Sequence, residues 1–204
     1  MSLSAQNSSS AELTESELVV LAQAGDHTAV EVLFKRYYAR VCLYLIRMVG
    51  NDGVGCELAQ EVFLKAWQAL PRLQNTSSFA SWLYRIATYT AHDYLRHVQL
   101  VQVLPWGRYK DIEKNSRMQI AGPERQVEEA ELLTLALKHV PISYRGCVIL
   151  QIVEELPQRQ IAEILGIKES SVSTYVSRGL RKLRQAYLLL SGDQDRIREE
   201  KKAL

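Results

Sequence analysis

The sequence of 204 residues has few of the features that mark secreted, metal-binding or membrane-spanning proteins. Its three cysteines, Cys42, Cys56 and Cys147, lie far apart and lack the paired spacing of a zinc site or a disulfide framework. We expect them to be small buried hydrophobic residues in a reducing cytoplasm. No apolar run approaches the roughly 18 residues of a membrane-spanning helix, so we expect no membrane insertion.

The N-terminus also lacks the basic and then apolar order of a secretory signal peptide. We expect the serine-rich residues 1–13 to form a disordered tail. The formal net charge is only +2, so a nucleic-acid-binding function has to depend on where the cations lie rather than on their number. The 47% of apolar and 24% of charged residues are ordinary for a soluble globular protein.

What the sequence does contain is helical periodicity, and no alternation of useful length indicates a strand in residues 14–97. Thr14 and Glu17 form a capping box that opens the first predicted helix. Asp26 is placed to cap a second helix, which we expect to end at Gly50. These signals predict an all-α first domain over residues 14–97.

The remainder of the chain divides at a segment where the periodicity fails. The periodicity places Phe63 and Trp67 on the apolar face of the third predicted helix, which Pro71 closes, and the fourth helix ends at about His97. Residues 98–122 mix proline, glycine, charge and lone aromatics, which indicates a flexible linker. Residues 123–190 then form a second small helical domain, and residues 191–204 form a C-terminal tail. The expected fold is all-α, with two small helical domains joined by the linker.

Residues 161–187 contain a pattern typical of DNA binding. A short apolar helix leads to Gly166, a permissive turn residue, and then to a second helix with Thr174, Arg178 and Arg181 on one face. The predicted core face of that helix consists of Val172, Val176, Leu180, Leu183 and Tyr187. This pattern predicts a helix-turn-helix motif, whose second helix enters the major groove. The alternative is an ordinary helical hairpin with a solvated basic face, although such a face more usually mixes charges.

The helix predicted over residues 79–96 has a second face that its core does not require. We call this face the aromatic-basic stripe, and it consists of Trp82, Arg85, Tyr89, His92 and Arg96. Interleaved rings and cations suit single-stranded nucleic acid, because bases stack on rings at about 1–3 kcal/mol each while arginines bind phosphates. The alternative is that Trp82 and Tyr89 pack beneath a neighbouring helix or the linker.

The binding energy expected from the helix-turn-helix alone indicates that a second contact is needed. A lone recognition helix makes a few base contacts worth about 1–3 kcal/mol each, which is too little to select one site among the competing sites of a genome. Such a protein needs a second DNA contact, a dimer or a larger assembly.

Four segments in order resemble the extracytoplasmic-function (ECF) sigma factors of bacterial RNA polymerase. They are AGDHTAVEVLFKRYY, ELAQEVFLKAWQAL, FASWLYRIATYTAHDYLR and LPQRQIAEILGIKESSVSTYVSRGLRKLR. The resemblance covers about residues 18–96 and 131–187. It implies a first domain that opens and captures the minus-10 promoter element, a second domain that reads the minus-35 element, and a linker that passes through the polymerase. Many members of this family are held inactive by an anti-sigma factor.

The resemblance also implies roles for individual residues. The aromatic-basic stripe lies nearest the minus-10 strand. The residues expected to contact the minus-35 element are Ser171, Thr174, Tyr175, Arg178, Arg181 and Lys182. Glu57, Gln60, Glu61 and Phe63 match the family's contact with the clamp helices of the largest polymerase subunit. Without the family, those four would be a solvated acidic edge.

Two other functions are weighed against this one. A free-standing transcriptional regulator would bind palindromic duplex DNA as a homodimer without polymerase. An enzyme is suggested by the adjacent His92 and Asp93, which are similar to a metal phosphohydrolase pair, but the other three histidines do not form a ligand-like pair. Since neither a glycine-rich phosphate loop nor a nucleophile motif is present, we expect no enzymatic activity, no cofactor and no metal.

Overall fold

The structure is a computed structural model that describes residues 13–74, 78–103 and 124–192. Every regular element in these ranges is helical, which confirms the all-α prediction. The helices are α1 (Glu15–Gln23), α2 (His27–Val49), α3 (Asp52–Ala69), α4 (Phe79–Val103), α5 (Glu124–Lys138), α6 (Ile142–Val148), α7 (Gln158–Leu165) and α8 (Glu169–Leu190). A 3₁₀ turn over Leu70–Arg72 follows α3, and a π-helical turn over Ile149–Val153 continues α6. The tails predicted at the two ends lie almost entirely outside the described residues.

The caps that begin and end the first helices are those predicted from the sequence. The Thr14 backbone N–H donates to the Glu17 carboxylate at 2.8 Å, and the Glu17 N–H donates back to the Thr14 hydroxyl. The Asp26 carboxylate accepts from the Thr28 N–H at 2.8 Å. Gly50 ends α2 in the left-handed region, at φ 73°. Each cap satisfies backbone groups that helix ends leave without partners.

The fourth helix is longer than predicted. It continues through residues 98–103, so the N-terminal part of the predicted linker is helical and that boundary was wrong. Residues 98–103 contain neither glycine nor proline, and Pro105 is the first residue that restricts helix continuation. The rest of the predicted linker, 104–122, lies outside the described residues.

Helices α1–α4 form the first helical unit and α5–α8 the second, and the two units pack against each other. α4 contacts α7, while the C-terminal half of α2 contacts α5 and α6. The buried apolar side chains of both units form one continuous cluster. The sequence predicted two domains but gave no indication of this shared interface.

A buried carboxylate joins the two units. Glu154 is 6% exposed and follows the π-helical turn of the second unit. Its carboxylate accepts from the Arg40 guanidinium at 3.0 Å and also from the Tyr84 hydroxyl. Arg40 lies on α2 and Tyr84 on α4, so one acidic side chain links the second unit to two helices of the first.

A buried guanidinium joins the units at a second place. Arg145 on α6 is 5% exposed and donates to backbone carbonyls. It contacts Lys138 O at 2.8 Å and Val140 O at 3.0 Å, at the end of α5, and also Met48 O in the last turn of α2. Burial lowers the pKa of Arg145 to about 10, so the side chain remains charged at neutral pH. The cation therefore lies where the negative ends of two helix dipoles meet.

Candidate nucleic-acid interface

The second helical unit contains the predicted helix-turn-helix motif, formed by α7, a turn at Gly166 and α8. Gly166 has φ 65°, and the following Ile167 N–H donates back to Ala162 O at 3.1 Å. This left-handed turn changes the chain direction in the way that glycine permits. α8 is then fixed by close packing on α6 at Gly179, where an added Cβ would lie 2.5 Å from Val148 Cγ2.

The close approach at Gly179 sets which side of α8 faces the protein. Val172, Val176 and Gly179 are buried, whereas Leu180 is 39% exposed. The prediction that Leu180 belongs to the core face was therefore wrong. The reason is that glycine, which a hydrophobic pattern does not score, forms the contact point in place of the neighbouring leucine.

The opposite side of α8 presents an open basic groove of about 480 Å³, lined by Ser173, Thr174, Ser177, Arg178 and Arg181. Arg178 and Arg181 form no ion pair or hydrogen bond with any residue that the structure describes. Lys182 is exposed beside them, while Ser171 is half-buried. Tyr175 is also half-buried and packs edge-on against Tyr144, with ring centroids 5.1 Å apart. The two arginines are thus available to a partner, whereas Tyr175 is partly engaged by α6.

The aromatic-basic stripe of α4 does not form a single free face. Tyr89 is 58% exposed, and Arg96 is exposed and pairs with Asp93. Trp82 is half-buried, with its ring centroid 5.7 Å from that of Phe79. Tyr89 is therefore the most accessible ring of the stripe, and the packing alternative for Trp82 is partly correct.

The N-terminal part of the aromatic-basic stripe lies inside a cleft between the two helical units. Trp82 and Arg85 line this cleft, of about 470 Å³, together with Glu163 and Ile164 of α7. The Arg85 guanidinium donates to the Glu163 backbone carbonyl. In this arrangement the first helix of the helix-turn-helix lies against the same α4 surface that the sequence assigns to unpaired DNA.

His92 is a half-buried member of the stripe. Its Nε2 atom is buried and has no hydrogen-bond partner among the described residues. Burial lowers the pKa of the His92 imidazole, with Arg145 and Arg96 acting in the same direction and Asp93 opposing them. The neutral form is therefore favoured, so His92 is poorly suited to neutralise a phosphate.

The residues predicted to contact polymerase divide into two environments. Glu57, Gln60 and Glu61 are exposed along one face of α3. Phe63 is only 6% exposed and packs edge-on against Phe34 at 4.7 Å between ring centroids. Phe63 is thus a core residue, and its predicted place on the contact surface was wrong.

The same face of α3 carries apolar side chains that the sequence pattern did not select. Leu64 is 58% and Trp67 41% exposed, and the Trp67 ring stacks on His27 with centroids 5.6 Å apart. At helical spacing, residues 57, 60, 61, 64 and 67 lie on one side of α3. The periodicity had placed Trp67 in the core. Large exposed apolar groups beside acidic ones are typical of an interaction surface.

The described residues contain no cluster of three or more His, Cys, Asp or Glu side chains that could hold a metal ion. None of their helices is both long and apolar enough to cross a membrane. What the geometry contains is a helix-turn-helix with unpaired arginines, an exposed aromatic on a second helix, and an acidic-apolar face on a third.

Comparison with known proteins identifies the family of this chain. Residues 33–100 match the sigma-70 region 2 family and residues 130–183 match sigma-70 region 4. The ECF RNA polymerase sigma-E factor of Escherichia coli K12 is 30% identical over 178 residues, which cover 83% of this chain and 92% of that protein. The chain belongs to the ECF sigma factors of the sigma-70 family. The RNA polymerase sigma factor YlaC of Bacillus subtilis is also similar to this sigma factor, at 28% identity over 83% of this chain and 97% of YlaC.

Solved structures share the fold of this ECF sigma factor. CnrH, solved in complex with the cytosolic domain of CnrY, has a TM-score of 0.62 at 19% identity and covers 88% of this chain and 98% of its own. RpoE of Bartonella quintana, solved with the anti-sigma factor NepR, has a TM-score of 0.64 at 17% identity over 76% and 94% of the two chains. Family membership confirms the resemblance stated from the sequence and does not favour a free-standing homodimeric regulator.

Proposed function

We propose that this sigma factor binds bacterial core RNA polymerase and directs it to promoters through two separate DNA contacts. α8 reads the minus-35 element in the duplex, and the exposed part of the aromatic-basic stripe captures unpaired bases of the minus-10 element. The observation that carries the proposal is the absence of acidic partners for Arg178 and Arg181 within the described residues. Two cations left unpaired on the second helix of a helix-turn-helix are available for phosphates or guanine edges.

The exposed face of α3 is the proposed polymerase contact. Glu57, Gln60 and Glu61 supply charge, and Leu64 and Trp67 supply apolar area that a partner can bury. Such a patch combines charged and apolar side chains, as protein interfaces commonly do. Phe63 supports this surface from beneath through its contacts in the core.

The contact between α4 and α7 bears on how the minus-10 element is bound. Trp82 is half-buried and the Arg85 guanidinium bonds to α7, so full contact of unpaired DNA with this part of the stripe requires the second helical unit to move away from α4. We infer that binding to polymerase separates the two units. The links made by Glu154 and Arg145 oppose that separation, and the binding energy of polymerase and promoter has to exceed their contribution.

We infer that an anti-sigma factor controls this protein. CnrH and RpoE, which share its fold, were each solved with a protein partner, and the partner of RpoE is an anti-sigma factor. A protein that bridges both helical units would stabilise the packed arrangement and keep the α4 surface against α7. We further propose that the protein acts in the cytoplasm with the polymerase and contributes binding rather than bond-making chemistry.

Reconstitution with core polymerase tests the proposed function. We expect the purified full chain to form a stoichiometric complex with bacterial core RNA polymerase and to support transcription from a promoter selected by that complex. Glu61→Lys together with Leu64→Ala should weaken the complex, whereas Arg36→Ala, at an exposed position of α2 outside this face, serves as the control. If the protein instead bound palindromic duplex DNA tightly as a homodimer and formed no complex with core polymerase, it would be a free-standing transcriptional regulator.

Tyr89 gives a test of the minus-10 contact that does not disturb the core. Because Tyr89 is exposed and packs on no described aromatic ring, Tyr89→Ala should leave polymerase binding unchanged. It should weaken promoter opening by about 1–3 kcal/mol if a base stacks on the ring. Opening can be followed by permanganate reactivity of unpaired thymines.

Tyr89→Phe is the matched control, since it keeps the ring and removes only the hydroxyl. It should open promoters nearly as well as the original protein. Equal losses for phenylalanine and alanine would show that the hydroxyl, rather than stacking, makes the contact.

A further inference from the structure

Two of the three cysteines meet between α2 and α3. The Sγ atoms of Cys42 and Cys56 are 3.0 Å apart although 14 positions separate the residues along the chain. Both are free thiols. A disulfide bond is about 2.05 Å long, so a movement of about 1 Å would bring the two sulfurs to bonding distance.

The backbone explains why these thiols meet. Gly55 is buried where α2 and α3 cross, and an added Cβ would lie 2.7 Å from both the Cα and N atoms of Ile46. Only glycine allows the two helices to approach this closely. Cys56 directly follows Gly55, and Cys42 lies one turn before Ile46, so the close approach holds the two thiols together across the helix pair.

The two thiols differ in their exposure to solvent. Cys42 is buried, and burial together with the neighbouring Cys56 raises the pKa of the Cys42 thiol to about 12. Cys56 is only half-buried and lies near the solvent-accessible start of α3. An oxidant from solution therefore reaches Cys56 first, and Cys42 is placed behind it as the second thiol.

We propose that Cys42 and Cys56 are a modification site at which a peroxide forms a reversible intramolecular disulfide. The Cys56 sulfur attacks one oxygen of the peroxide and becomes a sulfenic acid, and one water is released after proton transfer. The Cys42 sulfur then attacks the sulfenic sulfur, the S–O bond breaks, and a second water leaves with the Cys42 proton. In total two thiols lose two electrons and two protons, and one hydrogen peroxide is reduced to two waters. A dithiol reductant reverses the modification by exchange.

Cys147 provides an internal comparison within the same chain. It is fully buried on α6, and its thiol lies 3.5 Å from Ser143 O. Burial raises the pKa of the Cys147 thiol to about 11. Within the described structure, Cys147 is not accessible to solvent and has no second thiol nearby. It should therefore remain reduced under conditions that oxidise Cys56.

The experiment treats the full-length protein with hydrogen peroxide and measures intact mass, thiol count in denaturant and linked peptides. We expect a monomer lighter by two hydrogens (about 2 Da), one remaining thiol at Cys147, and a cross-linked peptide containing Cys42 and Cys56. Dithiothreitol should restore all three thiols. The helical circular dichroism of the oxidised protein should be unchanged, because the disulfide forms within the native helix pair.

Single variants make the result specific to this pair. Cys147→Ser should still lose two hydrogens, whereas Cys42→Ser should gain oxygen at Cys56 and form no intramolecular disulfide. The proposal is overturned if the original protein also gains oxygen at Cys56, if it forms only intermolecular dimers, or if the disulfide appears only with loss of helix. None of these measurements uses polymerase or DNA, so their outcome is independent of the proposed function.

Discussion

Replacing Arg145 with leucine is expected to lower the free energy of unfolding by about 3–5 kcal/mol. The arginine donates to the carbonyls of Met48, Lys138 and Val140, all near helix ends. Leucine is smaller than arginine and donates no hydrogen bond, and each buried acceptor left without a partner costs about 1–3 kcal/mol. Urea unfolding followed by circular dichroism measures the change.

Arg36→Leu is the control, because Arg36 is exposed on α2 and makes no hydrogen bond to a described residue. It should change the stability by less than about 0.5 kcal/mol. Arg145→Lys should fall between the two, since a lysine keeps the charge but cannot reach three carbonyls with a planar group. Equal effects of leucine at positions 36 and 145 would mean that Arg145 does not join the two helical units.

The second large effect is expected at the basic groove of α8. Changing both Arg178 and Arg181 to alanine should weaken promoter binding of the reconstituted holoenzyme by about 2–6 kcal/mol if both contact base edges. Both side chains are exposed and have no acidic partner among the described residues, so the change removes no internal contact of the protein. Stability should therefore remain within about 0.5 kcal/mol of the original.

The salt dependence separates base contacts from phosphate contacts. An arginine that binds phosphate reduces affinity for all sequences alike and lowers the slope of log affinity against log salt by about 1. An arginine that binds a base edge relaxes the preference at one promoter position. Arg184→Ala is compared with each single variant, since it also removes one positive charge from α8. An equal loss of binding for Arg184→Ala and for Arg178→Ala or Arg181→Ala would mean that α8 contributes only general electrostatic attraction.

Local features of the fold could be predicted from the sequence because they depend on neighbours in the chain. The capping box at Thr14 and the left-handed turns at Gly50 and Gly166 are where the sequence places them. They are governed by backbone hydrogen bonding and φ preference within a few residues. The helix-turn-helix follows in the same way from a short apolar helix, a glycine and an amphipathic helix.

The identities of core and surface positions could be predicted less well. Phe63 is buried although the family resemblance placed it on the polymerase contact, and Trp67 and Leu180 are exposed although the helical pattern placed them in the core. A helical pattern fixes a face only to within about one residue, because the apolar stripe of a globular helix is at least about 100° wide. Which edge of that stripe is covered depends on where the neighbouring helix approaches, and glycines at positions 55 and 179 decide this for two helix pairs.

The amino-acid sequence by itself determined the helices, their caps, the division into two units and the sigma-family motifs, since these follow from short-range hydrogen bonding, periodicity and residue order. The tertiary structure alone decided that α7 lies over Trp82 and Arg85, that Glu154 and Arg145 join the units, and that two distant cysteines meet. These features depend on how whole helices cross, and a crossing is selected by the summed packing of many side chains that are far apart in the chain.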